Sequence, residues 1–208
     1  MLFDPTRRRF MLLSAALAAC FSVPAAGSAA IDPTARVQAF YDVLLETMKQ
    51  GPQLGLQGRF DKLLPAVHAA YDMPAMMKIA CGSNWTKIPT DKQQALIDAF
   101  ERMSTAIYAD RFTKFSGQKF VVNPKAVPHN ADMVVRTQLV PADGDPVQLN
   151  YLMRGPADDM KIVDVFLEGA ISELATRRSE FAGVLRSDGP DVLLAKLKAR
   201  ADDILKGH

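Results

Sequence analysis

The sequence predicts an α+β domain: N-terminal helices, a four-stranded antiparallel curved sheet, then C-terminal helices. Three observations carry this expectation. From Val37 to about Phe115, apolar residues recur at three- and four-residue spacing. From Lys119 to Glu168 the period falls to two, and short turns separate the apolar runs. After Ser172 the helical period returns.

The first helix opens at Pro33, a residue suited to a first turn, with Asp32 before it as cap. Val37, Phe40, Tyr41, Leu44, Leu45 and Met48 form its apolar face, and Gly51-Pro52 is expected to stop it. A second segment, from about Gly58 to Tyr71, carries Phe60, Leu63, Leu64 and Val67, with Pro65 a point at which it can divide. A short third helix follows Asp72-Met73-Pro74, holds Met76, Met77, Ile79 and Ala80, and ends at Gly82 and the Trp85 region. The clearest helix starts with Thr90 as N-cap and Gln93 three residues on, as in a capping box. Leu96, Phe100, Met103 and Ile107 form its stripe, and it is expected to reach about Phe115, before Ser116-Gly117.

Four strands follow: Lys119–Val122, Asp132–Val140, Val147–Arg154 and Met160–Glu168. Turns containing Asp143-Gly144 and Gly155-Pro156 join the last three, which makes a meander. Leu174, Phe181, Val184 and Leu185 then line one helix that ends near Asp188-Gly189. Pro190 opens the last helix, through Val192, Leu193, Leu197 and Ile204.

The N-terminus has the three parts of a secretory signal: Arg7, Arg8 and Arg9, an uncharged run from Phe10 to Ala19, and small residues up to Ala30. Residues 1–30 are therefore expected to be a cleaved signal and 31–208 the mature domain. Thr6-Arg7-Arg8-Arg9-Phe10-Met11 resembles a twin-arginine signal, although arginine clusters occur in ordinary signals too. Leu17-Ala18-Ala19-Cys20 resembles a lipobox, so lipidation at Cys20 is the alternative to cleavage after Ala30. Pro24 and Gly27 interrupt the apolar run before it reaches membrane-spanning length.

The chain holds 25 basic and 23 acidic residues. Residues 1–30 contain three arginines and one acid, which leaves 22 of each sign in the remainder. A neutral domain argues against a nucleic-acid partner, which needs a concentrated excess of Lys and Arg. Cleavage at Ala30 leaves Cys81 as the single cysteine and allows no internal disulfide; a buried, inert thiol is expected.

No catalytic or metal-binding arrangement stands out. His68 and His129 lack a second His or Cys at ligand spacing, and His208 is terminal. Phosphate loops, dinucleotide fingerprints and a nucleophile elbow are all missing from the sequence. No cofactor and no metal are therefore expected. Asp110 and Arg111 read as helix-surface charges, and Asp143, Asp145, Asp158 and Asp159 as turn residues. Asp164 and Arg136 interrupt apolar strands; they either pair, satisfy buried backbone or rim a pocket. Arg177-Arg178 has Glu173 and Glu180 at helical spacing, which suits local ion pairs and leaves a phosphate contact as the second option.

Several runs in order resemble the MlaC-type family of periplasmic phospholipid-binding proteins, auxiliary components of toluene-tolerance ABC systems. Tyr71-Asp72-Met73-Pro74-Ala75-Met76 is similar to the family's Phe/Tyr-Asp segment, and Gly82-Ser83-Asn84-Trp85 to its Gly-x-x-Trp. The Thr90–Phe100 helix, Tyr108 and Phe115-Ser116-Gly117-Gln118 follow in the family's order. The strongest run is Val163-Asp164-Val165-Phe166-Leu167-Glu168-Gly169-Ala170-Ile171-Ser172, followed by Arg178-Ser179-Glu180-Phe181. The likeness covers about residues 33–200 and is nearest the HpnM branch associated with hopanoid biosynthesis. Met160-Lys161 replaces the family's Trp-Lys, and Arg177-Arg178 its Tyr-Arg, which leaves the cargo less defined.

The resemblance implies a periplasmic carrier that moves phospholipid or hopanoid-type lipids between the inner and outer membranes. Its implied partners are a membrane-bound ABC transporter and an outer-membrane lipoprotein component. A curved sheet with helices across its concave face would enclose an apolar cavity for acyl chains. Candidate wall residues are Met76, Leu96, Phe100, Met103, Ile107, Val135, Leu149, Tyr151 and Val165. Each serves equally well as plain core, and the sequence does not decide which sheet face looks inward. The alternative is a small curved-sheet enzyme, an isomerase or hydrolase acting on an apolar substrate, for which Asp164 with Tyr151 is the candidate polar pair. A third option is a non-carrying partner of a membrane assembly, which would lack a continuous cavity.

Overall fold

The computed structural model describes residues 32–207, so the signal, the Ala30 cleavage site and Cys20 lie outside the described residues. Helix α1 spans Pro33–Lys49, with the Asp32 carboxylate accepting from the Thr34 amide at 2.9 Å. Gly51-Pro52 ends α1 as expected, but it also opens α2, Gly51–Ala70, at once. Pro52 lacks only an amide hydrogen that a first turn leaves unused. The expected start at Gly58 came too late because the true interruption is Gly55, whose φ of 62° breaks the helical path inside α2. Pro65 does not divide the helix.

Helix α3, Met73–Cys81, is capped by Asp72, which accepts from the Ala75 amide at 2.9 Å. A 3-10 turn, Gly82–Lys87, leads to α4, Thr90–Arg111. The expected capping box does not form. Pro89 is the N-cap, Thr90 is already helical, and Gln93 Nε2 donates to the Ile88 carbonyl at 2.8 Å. Helix α4 also stops at Arg111 rather than near Phe115, and Phe112 is its C-cap.

The sheet holds the four expected strands and two short ones. These are β1 Lys119–Val122, β2 Val127–His129, β3 Asp132–Val140, β4 Val147–Arg154, β5 Lys161–Leu167 and β6 Ile171–Ser172. Strands β2 and β6 are too short for alternation to show in sequence. All pairings are antiparallel, in the order β1-β3-β4-β5-β6, with β2 on the β1 side of β3. The register jumps between Leu152 and Met153, because Asp164 faces Leu152 while Ile162 faces Met153. Val163 is the extra residue of this bulge, a device that bends a strand and raises its twist.

Helices α1, α2, α3 and α5 (Glu173–Ser187) touch the sheet, while α4 packs against α2, α3 and α6 (Pro190–Lys206). The α2–α3 junction is pinned to β5 by the Asp72 amide, which donates to the Ile162 carbonyl at 2.9 Å. Lys92 pairs with Asp191, and Arg102 with Asp202 at 2.7 Å, across α4 and α6. Buried Arg59 donates to the carbonyls of Ala109 and Gly51, at 2.7 and 3.1 Å. It thereby satisfies the C-terminal end of α4 from α2. No described helix is long and apolar enough to cross a membrane.

Candidate functional site: a cavity between sheet and helices

Alternation along β4 sends Val147, Leu149 and Tyr151 to one face, the face that the helices cover. Phe120, Leu139, Val165 and Leu167 join them from β1, β3 and β5. Opposite stand Tyr41 and Leu44 of α1, Met73 and Met76 of α3, and Phe100, Met103, Ile107 and Tyr108 of α4. Between these walls lies a cavity of about 230 Å³. Its charged lining is confined to Arg111, Glu173 and Arg177; Arg111 is exposed and the other two are half-buried, so they mark its opening.

Seven of the nine sequence candidates line this space: Met76, Phe100, Met103, Ile107, Leu149, Tyr151 and Val165. Leu96 and Val135 do not. Leu96 is fully buried one helical turn before Phe100, in the contact of α4 with its neighbouring helices. Val135 is fully buried opposite Tyr151 in the sheet register, where the Tyr151 ring, not Val135, meets the cavity.

Of the tyrosines, the sequence named Tyr151 alone as a wall residue. The chain contains four, and Tyr41, Tyr71, Tyr108 and Tyr151 all line the cavity. They come from α1, the α2–α3 junction, α4 and β4, so no local spacing links them. The Tyr41 hydroxyl donates to Thr137 Oγ1 at 2.6 Å, and Thr137 donates onward to the Leu149 carbonyl. The Tyr71 and Tyr108 hydroxyls bond to each other. Tyr41 stacks on Phe120 at 4.3 Å between centroids and meets Tyr151 edge-on at 5.7 Å. Burial pushes all four phenols above their ordinary range, and the charges of Arg111 and Glu173 act on Tyr108 in opposite directions.

The two in-strand charges serve structure. Asp164 Oδ1 accepts from the amides of Val165 and Leu174, at 2.7 and 3.0 Å, and Oδ2 from Ser172 Oγ at 2.6 Å. The carboxylate thus fastens the start of α5, which presents Glu173, Leu174 and Arg177 to the cavity. Asp164 pairs with Leu152, one step from the Tyr151–Val165 row, and does not line the cavity. The Asp164–Tyr151 pair that an enzyme would use is not formed. Arg136 is exposed opposite Asn150 and does not meet Asp164. Arg177 forms the expected local pair with Glu180 at 3.0 Å while also reaching the opening. Cys81 is buried, and burial pushes its thiol up to about 12, which makes it unreactive at neutral pH. No cluster of metal-ligating side chains occurs among the described residues.

Fold and site together define a class: a small α+β protein whose curved sheet and helical cover enclose an apolar cavity with a charged opening. A sequence model of the MlaC protein family matches residues 38–199, and the chain belongs to that family. A search of curated proteins found no match. Among solved structures, the chain is similar to the phospholipid-binding protein from Ralstonia solanacearum, determined in complex with a phospholipid. The two are 26% identical with a TM-score of 0.72, over 84% of this chain and 99% of that one.

Proposed function

We propose that this protein is a periplasmic carrier of membrane lipids, which holds acyl chains in the cavity between sheet and helices. The observation that carries this is the cavity itself: mostly apolar in its lining and charged only where Arg111, Glu173 and Arg177 stand at the opening. Each buried methylene contributes about 0.8 kcal/mol, so a two-chain lipid is held firmly without any covalent chemistry. Arg111 and Arg177 are placed to meet an anionic head group that stays near water. Family membership and the phospholipid bound to the Ralstonia protein support the same cargo class. The lipid is a phospholipid or a hopanoid-type molecule, exchanged with a membrane-bound ABC transporter and an outer-membrane lipoprotein component. Export follows from the N-terminal signal expected over residues 1–30.

The test is native mass spectrometry of the mature protein from its own host, followed by extraction and identification of the bound lipid. A defined phospholipid or hopanoid is expected. Absence of bound lipid, together with no uptake from labelled vesicles, would overturn the carrier. Ile107→Trp provides the structural control. It fills the cavity from α4, and is expected to abolish uptake while circular dichroism stays native.

A further inference from the structure

Two cavities in this molecule share a wall. Besides the apolar cavity, a crevice of about 320 Å³ lies among His68, Pro74, Ile97, Glu101, Arg154 and Pro156. Among the described residues, Tyr71 and Met73 alone line both.

The surrounding elements place the two spaces end to end. Along α4 the cavity touches Arg111, Ile107, Met103 and Phe100, and the crevice takes over from Glu101 to Gln94. Along β4 the cavity touches Val147, Leu149 and Tyr151, and the crevice begins at Arg154. On β5, which runs the other way, Lys161 belongs to the crevice, Val165 and Leu167 to the cavity. The charged opening at Arg111, Glu173 and Arg177 therefore lies at one end, and Tyr71 with Met73 at the other. Between Arg111 and Phe100 the cavity runs roughly 16 Å along α4.

Both partition residues are buried, at 4% and 2% exposure. The junction that carries them is fixed. Tyr71 bridges to Ile162 of β5, the Asp72 amide donates to the Ile162 carbonyl, and the Tyr71 hydroxyl bonds to that of Tyr108. The Met73 side chain is held by packing alone, and it meets open space on two sides. A methionine that served only the core would be packed on all sides.

We propose that Met73 is the floor of the lipid cavity and sets the length of acyl chain that the protein holds fully buried. The inference rests on the carrier reading and adds a limit on its cargo. A chain enters at the charged opening, methyl end first, and stops against Met73. Removing that side chain joins the cavity to the crevice, whose lining includes Pro74, Ile97 and Pro156, and admits a longer chain.

The test uses lysophosphatidylglycerols with one saturated chain, from decanoyl to stearoyl, below their micelle concentrations. At about 1.2 Å per bond of an extended chain, the series runs from shorter than the cavity to longer. Affinities for the delipidated mature protein are read by displacement of a fluorescent fatty acid. In the wild type, affinity is expected to rise about fourfold per methylene while the chain is being buried, and then to level off. Met73→Ala should move that break to longer chains and Met73→Phe to shorter ones, each variant checked for native melting. Met76→Ala lies on a wall that does not adjoin the crevice, and should leave the break in place. Three results would overturn the floor and leave the carrier standing: no break in the wild type, a break unmoved in whichever Met73 variant melts normally, or the same displacement in Met76→Ala. Failure of every probe to bind would remove the carrier along with it.

Discussion

Asp164 shows how one side chain fixes a distant piece of the site. Two of its three accepted hydrogen bonds, from Ser172 Oγ and the Leu174 amide, join β5 to the start of α5. Asp164→Ala leaves the Leu174 amide without its partner and is expected to destabilise the fold by about 2–3 kcal/mol in chemical denaturation. Asp164→Asn, which keeps an acceptor, should cost less. The tyrosines set a second expectation, at high pH. Burial holds their folded pKa values above the ordinary 10, so the unfolded chain loses these protons first. Their contribution is complete below pH 10 and is lost as pH rises beyond it. Phenolate absorbance and near-UV circular dichroism should therefore change together above pH 10. Phenolate appearing with the dichroism intact would contradict the burial. At the acid end the sign reverses. The bidentate bonds from Arg154, at 2.8 and 2.7 Å, hold Asp132 below its usual range. That contribution is present at neutral pH and disappears as Asp132 protonates, below about pH 4.

Among the elements, α2 and α4 depend on one close approach. A Cβ on Gly51 would lie 1.9 Å from the Thr113 carbonyl oxygen, just past the end of α4. Backbone there cannot yield as a flexible side chain would. Gly51→Ala is expected to destabilise by about 1–3 kcal/mol, measured by thermal melting, and to disturb the Arg59 contacts beside it. Gly51-Pro52 was legible as a break, but not as the start of a new helix. A glycine that ends one helix and a proline that begins the next give the same local signal. The capping box at Thr90 failed for a related reason. Pro89 takes the N-cap position without a side-chain cap bond, and the Gln93 side chain donates to the carbonyls of Trp85 and Ile88 instead of to the helix end. Strands β3 and β4 alternate over nine and eight residues, and their ends appeared in the sequence as they stand in the structure. Strands of three and two residues could not announce themselves.

At the scale of the molecule, the cavity lies between one face of the sheet and residues of α1, α3 and α4, and α4 is itself packed on α2 and α6. Buried area alone would favour closing this space with larger side chains. Filling it is therefore expected to raise stability while removing uptake. Met103→Phe combined with Leu149→Phe should melt at least as high as the wild type and take up less labelled lipid. A lower melting temperature with undiminished uptake would mean that the two positions are core alone.

By itself the sequence determined the types and order of all but the two shortest strands and the 3-10 turn, the α+β class, the likeness to the MlaC family and most of the apolar stripe on α4. These are local quantities: period, turn residues and residue order survive in one dimension. Only tertiary structure decided which stripe residues face a cavity. Leu96 and Phe100 share a stripe, but one meets helices and the other open space. Only tertiary structure, likewise, gathered four tyrosines from four separate elements around one lumen and set Asp164 to fastening a helix. Convergence of side chains distant in sequence depends on sheet curvature and helix crossing, which no short-range pattern encodes.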